Sequence, residues 1–155
     1  MPKILVCLLI LTFCYAGHPA RAQEPLDPVI SKLDDEVEEF LEEVAKGNEE
    51  LAFEHLLLGS RLHTQTEAIK QMVTRAEQLE RTYGQFQEVE QISSKRVGRD
   101  LVLLKYLFKC KDFPVVWYFT YYRDFNSRSL MSDVNTWIVI SVKFDTELEE
   151  LAKDK

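Results

Sequence analysis

The chain has 155 residues, of which 46% are hydrophobic and 29% are charged, and its formal net charge is −7 at pH 7. This length suits a single domain with an ordinary hydrophobic core. The net negative charge argues against nucleic acid and against anionic membrane surfaces as partners, because both carry charge of the same sign.

The first 22 residues have the pattern of a secretory signal peptide. Lys3 supplies a positive charge, the run ILVCLLILTF is apolar, and residues 20–22 (ARA) form a small-x-small cleavage site. We predict cleavage after Ala22 and a mature single domain over 23–155, secreted or periplasmic and without stable membrane insertion. An uncleaved anchor is the alternative, although the apolar run is shorter than the roughly 20 residues that a spanning helix needs.

The mature chain has one cysteine, Cys110. Loss of Lys3 and Arg21 with the signal peptide changes the net charge from −7 to −9. A lone cysteine cannot form an intrachain disulfide, although an exported compartment would permit one. We expect Cys110 to be a small buried apolar residue in a strand. An intermolecular bridge through its thiol is the alternative.

The first predicted helix has Asp27 as its N-cap and Pro28 at its first position, and Gly47 ends it. Its apolar positions recur at helical spacing: Ile30, Leu33, Val37, Phe40, Leu41 and Val44. Its acidic residues are interpreted as a solvent-facing surface: Asp34, Asp35, Glu36, Glu38, Glu39, Glu42 and Glu43. Consecutive acids on a helix point in different directions, so we do not expect them to converge on a metal ion or a polycation.

Two further helices are predicted. The second runs from Asn48 to Gly59, and the third begins at Thr64, where the sequence TQTE fits a capping box. The buried stripe of the third helix is predicted to be Ile69, Met72, Val73, Ala76 and Leu79. Gly84 follows it as a C-terminal cap.

After Gly84 the apolar period changes from near four to two, which predicts four strands. We place them at QFQEVEQIS, LVLLKYLF, VVWYFTYY and VNTWIVISVKF, joined by turns at VGRD and KCKD and by a polar loop from Arg123 to Asp133. Asp145 is expected to begin a short C-terminal helix that runs through Leu151. Three helices followed by four consecutive strands predict an α+β fold, with N-terminal helices packed on a four-stranded antiparallel meander.

Seven of the thirteen residues in FPVVWYFTYYRDF (113–125) are aromatic, and strand alternation divides them between two faces of the sheet. The face toward the helices is predicted to include Ile140 and the following candidates for ligand binding: Tyr106, Phe108, Trp117, Phe119, Tyr121 and Ile138. These side chains are either core or, in part, the lining of a pocket at an open end of the sheet.

The opposite face of the sheet is predicted to carry Tyr118, Tyr122 and Trp137 with lysines around them. Amphipathic aromatic side chains of this kind suit a protein interface. We therefore predict that these three residues form part of a homodimer surface.

The order of elements resembles the nuclear transport factor 2-like (NTF2-like) superfamily, whose cystatin-like α+β fold is cone-shaped. The segments YLFKCKDFPVVWYFTYYR, TWIVISVKFD and ELEEL are similar to small exported bacterial members that have no assigned function. The resemblance covers about residues 28–152 and rests on structural motifs. It implies a curved sheet with a pocket and dimerisation through the convex side. Members include isomerases, dehydratases, cyclases and non-catalytic binding domains.

We find no catalytic, metal-binding or cofactor motif in the sequence. Enzymes of the superfamily generally place a His, Asp or Tyr inside the cone, whereas the predicted inner face offers only Tyr106 and Tyr121 as polar groups. His55 and His63 are expected at a helix surface or cap. A general base or a weak metal site at these histidines is the alternative.

We expect an exported, non-catalytic homodimer that binds a small apolar or aromatic ligand in an aromatic-lined cone. Two alternatives stay open: a protein–protein interaction module with a packed cone, and an isomerase or lyase that uses a Tyr or His in the cone. A pocket of roughly 300 Å³ or more favours ligand binding, and a collapsed cone favours the interaction module.

Overall fold

The computed structural model describes residues 27–124 and 136–149. The signal peptide predicted over 1–22, Asp133 in the polar loop, and Leu151 of the predicted C-terminal helix lie outside the described residues. Among the described helices, none has the length and apolar character needed to cross a membrane.

The described helices precede the sheet in the chain. They are α1 (Pro28–Ala45), α2 (Glu49–Leu56), a 3-10 helix (Arg61–Thr64), α3 (Thr66–Ala76) and α4 (Leu79–Tyr83). Asp27 caps α1 as predicted, because its carboxylate accepts a 2.9 Å hydrogen bond from the N–H of Val29. Gly84 follows α4 with a φ of +85°, a backbone conformation that favours glycine because other side chains rarely adopt it.

The prediction of a capping box at Thr64 is wrong. Thr64 ends the 3-10 helix, which Ser60 caps by accepting a 3.1 Å hydrogen bond from the N–H of Leu62. The Ser60 hydroxyl also donates to the carbonyl oxygen of Val139 in the sheet. This long-range bond holds the turn before α3, and α3 itself begins after Gln65 without a side-chain cap.

The third predicted helix is two helices in the structure. The first, α3, ends at Ala76, and Leu79 begins the short α4. Both residues are buried, at 2% and 3% exposure. The interruption between α3 and α4 therefore allows both Ala76 and Leu79 to pack into the core.

The four predicted strands are confirmed and form one antiparallel sheet in the order β1-β2-β3-β4. They are β1 (Phe86–Val97), β2 (Leu101–Cys110), β3 (Val115–Asp124) and β4 (Thr136–Asp145). The helices cover one face of this sheet, which makes the fold α+β. Cys110 is a buried free thiol at the end of β2, as expected.

The predicted orientation of side chains on β4 is wrong. Val139 is 1% exposed and faces the helices, whereas Ile140 is 42% exposed. The cause is a bulge, because Thr120 pairs with Ser141 while its neighbour Tyr121 pairs with Val139. One extra residue on β4 reverses the alternation on the Val139 side of the bulge.

Because of the same bulge, the side chains at positions 137 and 138 lie on the faces of the sheet opposite to those predicted. Ile138 is half-buried and pairs with Tyr122 on the outer face, and Trp137 packs against the core. The prediction that Ile138 faces the helices and Trp137 faces outward is therefore corrected. The apolar residues of β4 on the inner face are Trp137, Val139, Val142 and Phe144.

Candidate functional site

Most of the predicted ligand-binding side chains form the centre of the hydrophobic core. They are Tyr106, Phe108, Trp117, Phe119 and Tyr121. Trp117 is 0% exposed, with the edge-on ring of Phe40 at 5.4 Å and the ring of Phe53 at 6.5 Å. Phe144 of β4 lies 4.4 Å from the same ring. The protein's own side chains therefore fill the centre of the inner face.

A buried polar cluster lies beneath α1. The Tyr106 hydroxyl donates a 2.9 Å hydrogen bond to a carboxylate oxygen of Asp34, and the Gln91 amide donates to the same oxygen at 2.5 Å. Asp34 is only 8% exposed. Burial, and then the hydrogen bond to Asp34, raise the pKa of the Tyr106 hydroxyl, so it remains a donor at neutral pH.

The position of Asp34 corrects the sequence interpretation, which placed it on the solvent-facing side of the first helix. Asp34 follows Ile30 by four residues and precedes Val37 by three, so its side chain falls on the apolar stripe. This spacing is the signal that could have identified Asp34 as an inward-facing carboxylate.

A second tyrosine–carboxylate pair lies beside the first. The Tyr121 hydroxyl donates to a carboxylate oxygen of Glu36 at 3.3 Å. Burial is the largest cause of the raised pKa of Tyr121, and the charge of Glu36 adds to it. Burial also raises the pKa of Glu36, although the hydrogen bond from Tyr121 opposes this effect. Both tyrosine hydroxyls of the inner face are thus bound to carboxylates of α1.

We expect Glu36→Gln to stabilise the protein at pH 7. Because the pKa of Glu36 is raised in the folded state, its contribution to the free energy of unfolding is complete below the ordinary value of 4.5 and falls as the pH rises through the folded pKa. Glutamine is neutral throughout and can still accept the Tyr121 hydrogen bond. Urea unfolding from pH 4 to pH 8 should show a difference from wild type that grows with pH.

The exposed Glu39 provides the control for this experiment. Glu39→Gln is expected to change the free energy of unfolding little at pH 4 and at pH 8. A Glu36→Gln variant that is less stable than wild type at pH 7, or a difference that does not change with pH, would contradict the burial of the Glu36 charge.

Neither histidine is among the hydrogen-bond partners of Tyr106 and Tyr121. His55 on α2 and His63 in the 3-10 helix are both exposed. His63 lines a surface hollow of about 350 Å³ between α2 and α3, with Phe53 and Ile69. Within 27–124 and 136–149, no group of three His, Cys, Asp or Glu side chains is placed to hold a metal ion.

A cavity of about 300 Å³ lies at the end of the sheet where β1 starts and β2 ends. Its apolar lining includes Val44, Leu79, Phe86, Phe108 and Cys110. Of the predicted ligand-binding residues, Phe108 contributes to this lining. Burial, followed by the charges of Glu80 and Asp112, raises the pKa of the Cys110 thiol.

The outer face of the sheet carries Tyr118 and Tyr122, as predicted. The ammonium groups of Lys143 and Lys105 lie 4.3 and 5.5 Å from the centre of the Tyr118 ring, and Tyr122 is 41% exposed. Trp137 differs, because it packs toward the core and the Arg96 guanidinium lies 5.6 Å from its ring. Two of the three predicted interface residues therefore lie on the outer face.

Comparison with known proteins found no matching family model, no matching curated protein and no matching solved structure.

Proposed function

We propose that this chain is a non-catalytic interaction module that binds through its surface. The observation that carries the proposal is the filled inner face. Trp117, Tyr106 and Tyr121 are each 0% exposed, so the aromatic side chains that could have lined a ligand pocket contact other protein side chains. A packed interior is the property that favours an interaction module over a small-molecule carrier.

The polar groups of the interior support the non-catalytic part of the proposal. A general acid or base needs access to the proton that it transfers. The Tyr106 and Tyr121 hydroxyls are buried and hydrogen-bonded to Asp34 and Glu36, and both histidines are exposed. An isomerase or lyase is therefore the less favoured alternative.

The proposal also includes an NTF2-like cone, a homodimer and export from the cytoplasm. An NTF2-like cone is supported by the packing of α1 against a four-stranded antiparallel meander. A homodimer through the outer face is supported by the exposed Tyr122 and Ile140. Export to the periplasm or the medium is supported by the signal-peptide pattern of residues 1–22.

A small apolar or aromatic ligand is the second candidate function, and the end cavity favours it. The volume of about 300 Å³ is sufficient for a small ligand, and Phe86 and Phe108 supply apolar walls. In this case the ligand would lie between α1 and the end of the sheet rather than against Trp117.

Native mass spectrometry of the protein tests both functions, when the full chain is expressed and purified without detergent. We expect a mass that begins at Gln23, a dimer, and no discrete small-molecule adduct. A discrete adduct on wild type that is absent from Ala76→Leu would contradict the interaction module and favour the ligand, because Ala76 lines the end cavity. A chain that still begins at Met1 would contradict cleavage of the signal peptide.

A further inference from the structure

Two neighbouring hollows lie along α1 and the edge strand β1 and share lining residues. One has a volume of about 500 Å³ and is lined by Glu38, Glu42, Ala45, Lys46, Phe86 and Val89. The end cavity shares three of these residues, Ala45, Lys46 and Phe86, and extends toward Phe108 and Cys110. We call these two neighbouring hollows the α1/β1 groove.

The α1/β1 groove has an apolar floor and an acidic rim. Phe86 and Val89 of β1 pack partly against the core and leave the rest of their surface to the groove. The exposed acids of the rim are Glu38, Glu42, Glu77 and Glu80. The one cation of the lining, Lys46, is already paired, at 2.8 Å with Glu43 and 3.7 Å with Glu42. The groove therefore favours a partner that is both apolar and positively charged.

The strand beside the groove has an unpaired edge. Within the described sheet, β1 pairs with β2 alone, so alternate backbone N–H and C=O groups of its 12 residues point away from the sheet. Two register shifts, at Phe86/Glu88 and at Gln91/Ser93, interrupt the pairing with β2. The stretch Glu88–Gln91 between them is regular and includes Val89, which lines the groove. A short strand could pair at this stretch.

We propose that the α1/β1 groove binds an extended, basic and apolar segment of another protein, which pairs with the free edge of β1 as an added strand. One set of alternate side chains would contact Phe86 and Val89. The other set would lie on the outer side, beside the exposed carboxylates of Glu88 and Glu90, which both pair with the single ammonium group of Lys109, at 2.5 and 2.6 Å. This inference rests on the proposed interaction module, for which it names the partner chemistry.

The charge of the groove distinguishes this partner from a second copy of the chain. Pairing of two β1 edges would bring Glu88 and Glu90 of both copies together, in addition to the glutamates of both rims. Repulsion among these glutamates opposes a dimer at this edge, whereas the proposed homodimer uses the outer face of the sheet. A basic segment gains from the same charges, because opposite charges attract across an exposed rim.

The test is a fluorescence-anisotropy titration of the full-length chain, expressed with its own signal peptide, against a labelled ten-residue peptide of alternating valine and arginine at 0.15 M salt. We expect Glu88→Lys/Glu90→Lys to weaken binding by about tenfold or more, because two attractive charges beside the arginine side chains become repulsive. The matched control is Asp35→Lys/Glu39→Lys, which makes the same change of charge at exposed positions of α1 that do not line the groove. We expect the control to weaken binding by about twofold at most, because salt screens distant charges.

Strand pairing is tested with the same peptide methylated at alternate backbone nitrogens, which removes the N–H donors along one edge of the extended peptide. We expect this peptide to lose binding to wild type, while a peptide of alternating valine and glutamate does not bind. Equal weakening by the two double variants, or equal binding of the methylated peptide, would overturn the proposal. Absence of peptide binding would also overturn it without touching the interaction module, which is tested separately by the absence of an adduct in native mass spectra.

Discussion

The variant Trp117→Ala is expected to lose about 3–5 kcal/mol of the free energy of unfolding, the largest effect of any single change described for this chain. Trp117 is 0% exposed and contacts rings from α1, α2 and β4, among them Phe40 at 5.4 Å and Phe144 at 4.4 Å. Replacement by alanine leaves a cavity that these rings cannot fill without moving. Urea unfolding followed by far-ultraviolet circular dichroism measures the loss.

Two variants separate the packing of Trp117 from other effects. Tyr122→Ala lies on the same strand but is 41% exposed, and we expect it to change stability by about 0.5 kcal/mol or less. Trp117→Phe should cost less than Trp117→Ala, because it keeps an aromatic ring and removes a buried indole N–H that has no acceptor among the described residues. A Trp117→Ala variant as stable as Tyr122→Ala would contradict a filled interior.

The variant Tyr106→Phe is expected to lose about 1–3 kcal/mol of the free energy of unfolding, because it removes a hydrogen bond from a buried carboxylate. Asp34 would then keep the Gln91 amide as its remaining donor among the described side chains. The variant Asp34→Leu should also destabilise the protein, because it leaves the Tyr106 hydroxyl buried without its acceptor. Urea unfolding of both single variants measures the two losses.

The double variant Asp34→Leu/Tyr106→Phe tests whether these two groups act as a pair. We expect it to be more stable than the sum of the two single losses predicts, because it removes both partners and leaves neither group unsatisfied. Strictly additive losses would mean that the 2.9 Å hydrogen bond contributes no coupling, which would contradict the pairing of the two groups. Tyr122→Phe, at the exposed end of β3 on the outer face, is the matched control for loss of a tyrosine hydroxyl.

The fold class could be predicted because its signals are local. The N-cap at Asp27, the glycines that follow the helices, and the change of apolar period after Gly84 all act over a few residues. Alternation along β2 also predicts its burial, since every second residue from Val102 to Cys110 is buried.

The errors arise where distant contacts decide the structure. The bulge in β4 depends on the register with β3, where Thr120 pairs with Ser141 and Tyr121 pairs with Val139. The residue types of β4 do not indicate the position of this bulge. The turn before α3 depends on the bond from Ser60 to Val139, two residues 79 positions apart. The sequence at Thr64 fits the local pattern of a capping box, but the long-range hydrogen bond of Ser60 determines where the helices begin.

The candidate site shows the same division between local and distant signals. The sequence identified the aromatic side chains of the inner face but could not show that Phe40 and Phe53 of the helices fill the space before them. It also gave no sign of the α1/β1 groove, because the groove forms only where Glu38 and Glu42 of one element lie beside Phe86 and Val89 of another.

The most direct test of the filled interior is a comparison of wild type with Trp117→Ala, each unfolded in urea with and without saturating indole. A guest that binds only the folded state raises the free energy of unfolding by an amount that grows with the logarithm of its concentration relative to its Kd. We expect indole to stabilise Trp117→Ala more than wild type, because only the variant has an apolar cavity at that position. Equal stabilisation of the two proteins would contradict the account, since the wild-type interior would then accept the guest as readily as the enlarged one.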